Sequence, residues 1–148
     1  MRQPNDDARA AAHQGLPAQC TVRIELPRGG VLKRREDGRL DFLSPLPCPF
    51  NYGSVPGTRS GDGDRIDAIV LGPRLAAGSE VTLPVLAVAD FLDAGAEDPK
   101  WICGQPPLSR RAQAGIDAFM RLYALCKRQL NRLRGLRGTT LYRGLVLR

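Results

Sequence analysis

At 148 residues with a formal net charge of +7, the chain is long enough for one domain with a real hydrophobic core. Its densest apolar stretch, 81–88, falls far short of the roughly 20 residues that cross a bilayer. The single histidine, His13, leaves little room for a histidine-built zinc hydrolase or a Ser-His-acid triad, and the four cysteines, at 20, 48, 103 and 126, form no C-x-x-C pair.

In chain order, residues 1–20 are rich in Ala, Gln and Asp and read as a flexible leader to a domain over 21–148. The leader lacks the apolar centre of a secretory signal, so a cytoplasmic location is expected. Residues 21–26 alternate, with Val22, Ile24 and Leu26 on one face and Thr21, Arg23 and Glu25 on the other, as a half-buried strand does. A second strand is expected over 31–35, followed by a hairpin turn at Glu36-Asp37-Gly38. Pro45, Pro47 and Pro49 exclude a regular interior strand over 45–49. Asn51-Tyr52-Gly53 reads as a turn, 56–64 as a glycine-rich loop, 67–71 and 81–90 as strands, and 93–100 as an acidic loop.

After Pro106-Pro107 the period changes. Ala112, Ile116, Phe119, Tyr123, Cys126, Leu130 and Leu133 recur at spacings of three and four, one face of a helix over 109–134 with Ser109 as N-cap and Gly135 as stop. Residues 139–147 have weak strand character. Short strands followed by one long helix predict a small β-barrel with an attached helix. The charge is uneven: residues 110–148 hold ten basic side chains and one acid, Asp117, whereas residues 1–109 hold twelve basic and fourteen acidic ones. Such a basic portion either attracts a polyanion or supplies counter-charge and solubility.

Chemistry concentrates in two acidic segments. Asp62 and Asp64 flank Gly63, and Asp67 stands at the mouth of an apolar strand. Three acids so close repel one another unless a cation compensates them, and oxygen donors of this kind favour Mg²⁺ or Mn²⁺. The second segment contributes Asp93, Asp98 and Lys100, with Glu97 nearby, and Glu25 lies on the polar face of the first strand. Together these acids could surround two or more divalent ions; acids and glycines also populate ordinary solvated turns. An EF-hand is excluded because the position twelve along from Asp62 is Pro73 rather than a glutamate. Cys126 and Arg132 share the spacing of a phosphate-binding cysteine loop. The intervening residues continue a helix without glycine, so Cys126 reads as a packed helix residue.

The string N-Y-G-x-x-P-x-T over 51–58 followed by D-G-D-x-x-D over 62–67 resembles the signature region of the family I soluble inorganic pyrophosphatases. The resemblance implies an OB-fold-like closed five-stranded β-barrel with a long C-terminal helix. It also implies magnesium-dependent hydrolysis of pyrophosphate to two phosphates, with Mn²⁺ as a possible substitute. By resemblance Asp62, Asp64 and Asp67 hold metal, and Asp64 accepts the proton of the attacking water. Asp93, Asp98 and Lys100 match the family's second acidic loop, D-x4-D-x-K, and Glu25 matches a strand glutamate that precedes a proline. Lys33, Tyr52, Lys100 and Tyr123 match residues that bind substrate. The family often forms homo-oligomers, including hexamers.

Several positions depart from the family pattern. Arg35 stands where a glutamate is expected, Ser44 near an expected arginine, Cys48 at a tyrosine, Arg65 at the DGDP proline and Ala124 at the lysine that follows the helix tyrosine. The interval from Lys100 to Tyr123 is shorter than in the bacterial enzymes. The metal-binding half of the pattern is thus kept while the phosphate-binding half is thinned, and Arg34, Arg35, Arg65 and Lys127 are the candidates to restore positive charge. Two other readings stand beside the hydrolase. One is a metal- and phosphate-binding relative without turnover; the other is a nucleic-acid-binding barrel using the basic portion. The second is disfavoured by an aromatic content of 5%.

Overall fold

The computed structural model describes residues 15–34, 40–43, 47–61 and 63–148. Among the described residues, nine strands and a long helix follow in the order β1(Gln19–Leu26), β2(Leu32–Arg34), β3(Leu40–Leu43), β4(Asn51–Ser54), β5(Asp67–Val70), β6(Glu80–Asp93), β7(Ala96–Glu97), β8(Lys100–Cys103), α1(Arg110–Leu133) and β9(Leu141–Leu147). The larger sheet runs β1-β4-β5-β8-β6, and β6 pairs again with β1, so five strands close into a ring. Strand β6 manages this because it is 14 residues long. Its first part pairs with β1 and its next part with β8, the latter pairing carrying an irregularity between Val85 and Ala87. β7 and β9 pair with its far end, and β2 and β3 form a separate hairpin.

Alternation in the strands sorts the core into two clusters, since successive side chains face opposite sides. β5 sends Ala68 and Val70 into one cluster with Val22, Ile24, Val85 and Cys103. It sends Ile69 into the other, with Tyr52, Ala89, Phe91, Ile102 and the helix residues Ile116, Met120 and Ala124. Burial at this scale, about 25 cal/mol per Å² of apolar surface, is what holds the helix on the sheet. The Ser109 hydroxyl caps α1 by accepting from the Ala112 amide at 3.1 Å, and Gly135 beyond its end takes φ +69°. Both ends fall where the sequence placed them. β9 returns along the helix, with the Arg128 guanidinium donating to the Thr140 carbonyl at 2.8 Å.

Three expectations need correction. Asn51-Tyr52-Gly53 is strand β4, paired with both β1 and β5, and not a turn. Gly53 is required there by close approach: a Cβ would lie 2.0 Å from the Arg23 carbonyl oxygen. Gln19 and Cys20 belong to β1 rather than to a leader. Leu133 is 87% exposed instead of packed, and the buried line of α1 runs through Ile116, Met120, Ala124 and Asn131. Cys20 and Cys103, 83 residues apart, bring their sulfurs to 3.4 Å, a pairing that sequence spacing does not reveal. The predicted turn at 36–38, and the substituted positions Arg35 and Ser44, lie outside the described residues.

Replacing Gly53 with alanine forces β1 and β4 apart. The Gly53→Ala protein is expected to lose about 2–4 kcal/mol of stability in urea unfolding. A loss below about 0.5 kcal/mol would show that the two strands can separate without penalty.

Candidate active site

The parallel pairing of β5 with β8 sets Asp67 opposite Lys100. Both side chains point to the helix side of the sheet, together with Tyr52 from β4 and Phe91 from β6. Lys100 is 1% exposed, and its Nζ lies 2.8 Å from Asp67 Oδ2 and 2.7 Å from Asp98 Oδ2. The Tyr52 hydroxyl donates to the same Asp67 Oδ2 at 2.9 Å. The rings of Phe91 and Tyr123 complete the enclosure, 5.6 and 5.7 Å from the ammonium. Burial alone would push the Lys100 ammonium towards neutrality, but Asp67 and Asp98 override it and hold the pKa above the ordinary lysine value. Burial, then the Asp67 charge, raises the Tyr52 phenol well above its usual range. At neutral pH Lys100 is therefore a cation and Tyr52 a hydrogen-bond donor.

The loop between β4 and β5 carries Asp64. Thr58 organises its base, donating to the Val55 carbonyl at 2.6 Å and accepting from the Ile66 amide at 3.0 Å. The Ser60 amide donates to the Asp64 carbonyl at 2.8 Å and closes the tip. Gly61 lets this loop lie against β7, since a Cβ there would sit 2.9 Å from the Glu97 carbonyl oxygen. The two acidic segments thus touch through backbone. On the neighbouring strand, Glu25 accepts from the Ser54 hydroxyl at 2.7 Å.

Asp93 has different company. Its Oδ1 accepts from Asn131 at 2.7 Å, and its Oδ2 pairs with Lys127 at 3.2 Å. Thr140 bonds to Asn131 at 3.0 Å and accepts from the Ala94 amide at 3.0 Å. Partial burial opposes ionisation of Asp93, but the Asn131 hydrogen bond and the Lys127 charge outweigh it and lower its pKa.

Of the expected residues, then, Tyr52, Asp67, Asp98, Lys100 and Tyr123 converge, and Glu25 lies on a strand beside them. Asp64 is exposed on the adjoining loop. Asp93 is held by α1 and the segment that follows it. Asp62 and the Lys33 side chain lie outside the described residues, although Lys33 is in β2. Sequence reasoning missed Asn131 and Thr140. It also missed Arg143 on β9, which grips Asp90 at 2.6 Å and Glu97 at 2.6 Å. The available signal for Asn131 was its place eight residues after Tyr123 on the same helical face. Among the described residues no three acids gather around one point. The acids that border the site nonetheless offer carboxylate oxygens, the chemistry that suits a hard divalent cation and not a soft one.

The sequence profile described as inorganic pyrophosphatase matches residues 22–131. An inorganic pyrophosphatase of Gluconobacter oxydans is 34% identical over 106 residues, 66% of this chain and 61% of that protein. The chain thus spans about three fifths of that relative's length. Among solved structures, an inorganic pyrophosphatase from Thermus thermophilus aligns with a TM-score of 0.70 at 23% identity, covering 91% of this chain and 86% of the other. That from Helicobacter pylori aligns with a TM-score of 0.69 at 25% identity, covering 91% of each. The ring of strands with its long helix is therefore a fold shared with these proteins.

Removing the buried ammonium leaves two carboxylates facing each other. Lys100→Met is expected to cost about 3–5 kcal/mol at pH 7 in chemical unfolding. Because the folded-state pKa of Lys100 lies above the unfolded one, its contribution is complete below the ordinary lysine pKa and fades only as pH rises beyond it. A loss under about 1 kcal/mol at pH 7 would contradict the pairing described.

Proposed function

The chain belongs to the inorganic pyrophosphatase family, and on that premise we propose that it hydrolyses inorganic pyrophosphate to two phosphates with a divalent cation, Mg²⁺ first and Mn²⁺ as substitute. The observation that carries this reading is the Asp67–Lys100–Asp98 hub, 2.8 and 2.7 Å across its two contacts, set directly behind the loop that presents Asp64. Asp62, Asp64, Asp67, Asp93, Asp98 and Glu25 are the residues that would hold the cation. When bound, a divalent cation supplies charge stabilisation on phosphate oxygens and lowers the pKa of the attacking water.

The chain's own groups divide the remaining work. Asp64, at the exposed loop tip, takes the proton as the water oxygen bonds to phosphorus and the bridging P–O bond breaks. Tyr52 and Lys100 fix the orientation of Asp67 through its shared Oδ2 atom. Lys33, Tyr52 and Tyr123 set the positive and hydrogen-bonding lining against which phosphate oxygens are positioned, while Lys100, enclosed by Asp67 and Asp98, holds the acidic segments behind them. Cytoplasmic location and self-association belong to the same reading. The exposed Leu122, Leu125, Leu133 and Leu136 support self-association.

A second reading, cation and phosphate binding without turnover, is favoured by the engagement of Asp93 with Lys127 and Asn131. Phosphate release from pyrophosphate, with and without Mg²⁺, separates the two. Wild type is expected to release phosphate only with the metal, and Asp64→Asn to lower the rate by about 100-fold or more. Release at background level by both proteins, with pyrophosphate still bound in calorimetry, would favour the binding relative.

A further inference from the structure

Two ammonium groups act on Tyr123, and their surroundings differ. Lys100 is enclosed at 1% exposure between Asp67 and Asp98. A phosphate oxygen could reach its Nζ only by displacing a buried carboxylate, so Lys100 is occupied in holding the two acidic segments together. Lys127 follows Tyr123 by four residues and so lies beside it on α1. Its side chain is 19% exposed, and among the described residues it meets one carboxylate, Asp93, at 3.2 Å. Position 124, next to Tyr123 in sequence, cannot supply a cation: Ala124 is 2% exposed inside the apolar cluster beneath the helix. The helix turns its apolar line over to polar side chains one turn later, where Lys127 and Asn131 meet the acidic segment.

The pairing around Asp93 has a further property. Asn131 donates to Asp93 Oδ1, whereas Lys127 engages Oδ2. Thr140, bonded to both Asn131 and the Ala94 amide, braces the same turn. Removing Lys127 from Asp93 therefore leaves the carboxylate with a donor and its turn still tied to β9. Lys127 is the member of the network that can move without dismantling it.

We propose that Lys127 is a phosphate ligand of this site, its ammonium passing from Asp93 to an oxygen of the bound inorganic phosphate or diphosphate. Asn131 and Thr140 keep Asp93 in place during that exchange. The proposal deepens the hydrolase reading and rests on it for the identity of the anion. A second substrate cation, beside Lys33, is thus supplied from a helical position one turn beyond Tyr123.

The test is calorimetric titration of inorganic phosphate, in the presence of Mg²⁺, into wild type, Lys127→Met, Lys127→Gln and Lys127→Arg, beside steady-state hydrolysis of pyrophosphate. Loss of one charge-assisted contact is expected to weaken phosphate binding roughly tenfold or more in the Met and Gln proteins. It should raise KM more than it lowers kcat, and arginine should restore most of the affinity. The glutamine variant guards against a merely structural role, because its amide can still donate to Asp93. It also serves if the methionine variant does not fold. Affinity within twofold of wild type in folded Lys127→Gln, with KM unchanged, overturns the proposal. Wild type that binds phosphate but releases none from pyrophosphate sinks the hydrolase reading and leaves the Lys127 comparison standing. Wild type that binds no phosphate overturns the Lys127 assignment itself.

Discussion

A lysine ammonium buried among carboxylates fixes the geometry of this molecule's acidic face. An isolated buried charge is penalised by several kcal/mol, so Lys100 is tolerated only where Asp67 and Asp98 both reach it. That requirement constrains three stretches of chain at once. Asp67 ends the loop that bears Asp64, Asp98 follows the turn between β6 and β7, and Lys100 begins β8. The Tyr52 hydroxyl binds the same Asp67 oxygen and brings β4 under the same constraint. Two segments that would repel each other in isolation are thereby held side by side by one internal cation, with the aromatic rings of Phe91 and Tyr123 excluding water from it.

The helix serves this arrangement with its two halves. Ile116, Met120 and Ala124 anchor the first half on the sheet. Lys127 and Asn131 continue the same line but address the Asp93 turn. The apolar half provides adhesion and the polar half provides position, and the change occurs within one helical turn. Strand β9 then returns to close the arrangement, with Thr140 at the Asp93 turn and Arg143 on Asp90 and Glu97.

Much of this was legible in the residues themselves. Alternation over 21–26 specified β1 because its burial alternates without interruption up to Leu26. The helix declared itself through Ser109, its 3.6-residue period and Gly135. Both acidic segments were visible as carboxylates around glycine. The failures have physical causes. Asn-Tyr-Gly is turn-like by composition, but Gly53 is there to let two backbones approach and not to reverse the chain. A polar residue at 131 looks like part of a solvent face until the acidic turn is placed above it. Cys20 and Cys103 come together only when the ring of strands closes, and the register that aligns Asp67 with Lys100 is a property of strand pairing that neither strand encodes alone.

The length of β6 carries a consequence for how the molecule is made. Its far half must find β8 on one edge and β9 on the other, yet β6 ends at Asp93 and β9 begins only at Leu141. During synthesis the edge formed by Ala87, Val88, Ala89 and Phe91 emerges well before its final neighbour and waits while the whole helix is produced. An unpaired, apolar strand edge is a template for pairing with another chain. The interval before β9 docks is therefore when nascent chains are most exposed to association with one another, and chain synthesis at about 5–20 residues per second, far slower than helix formation, sets how long that interval lasts.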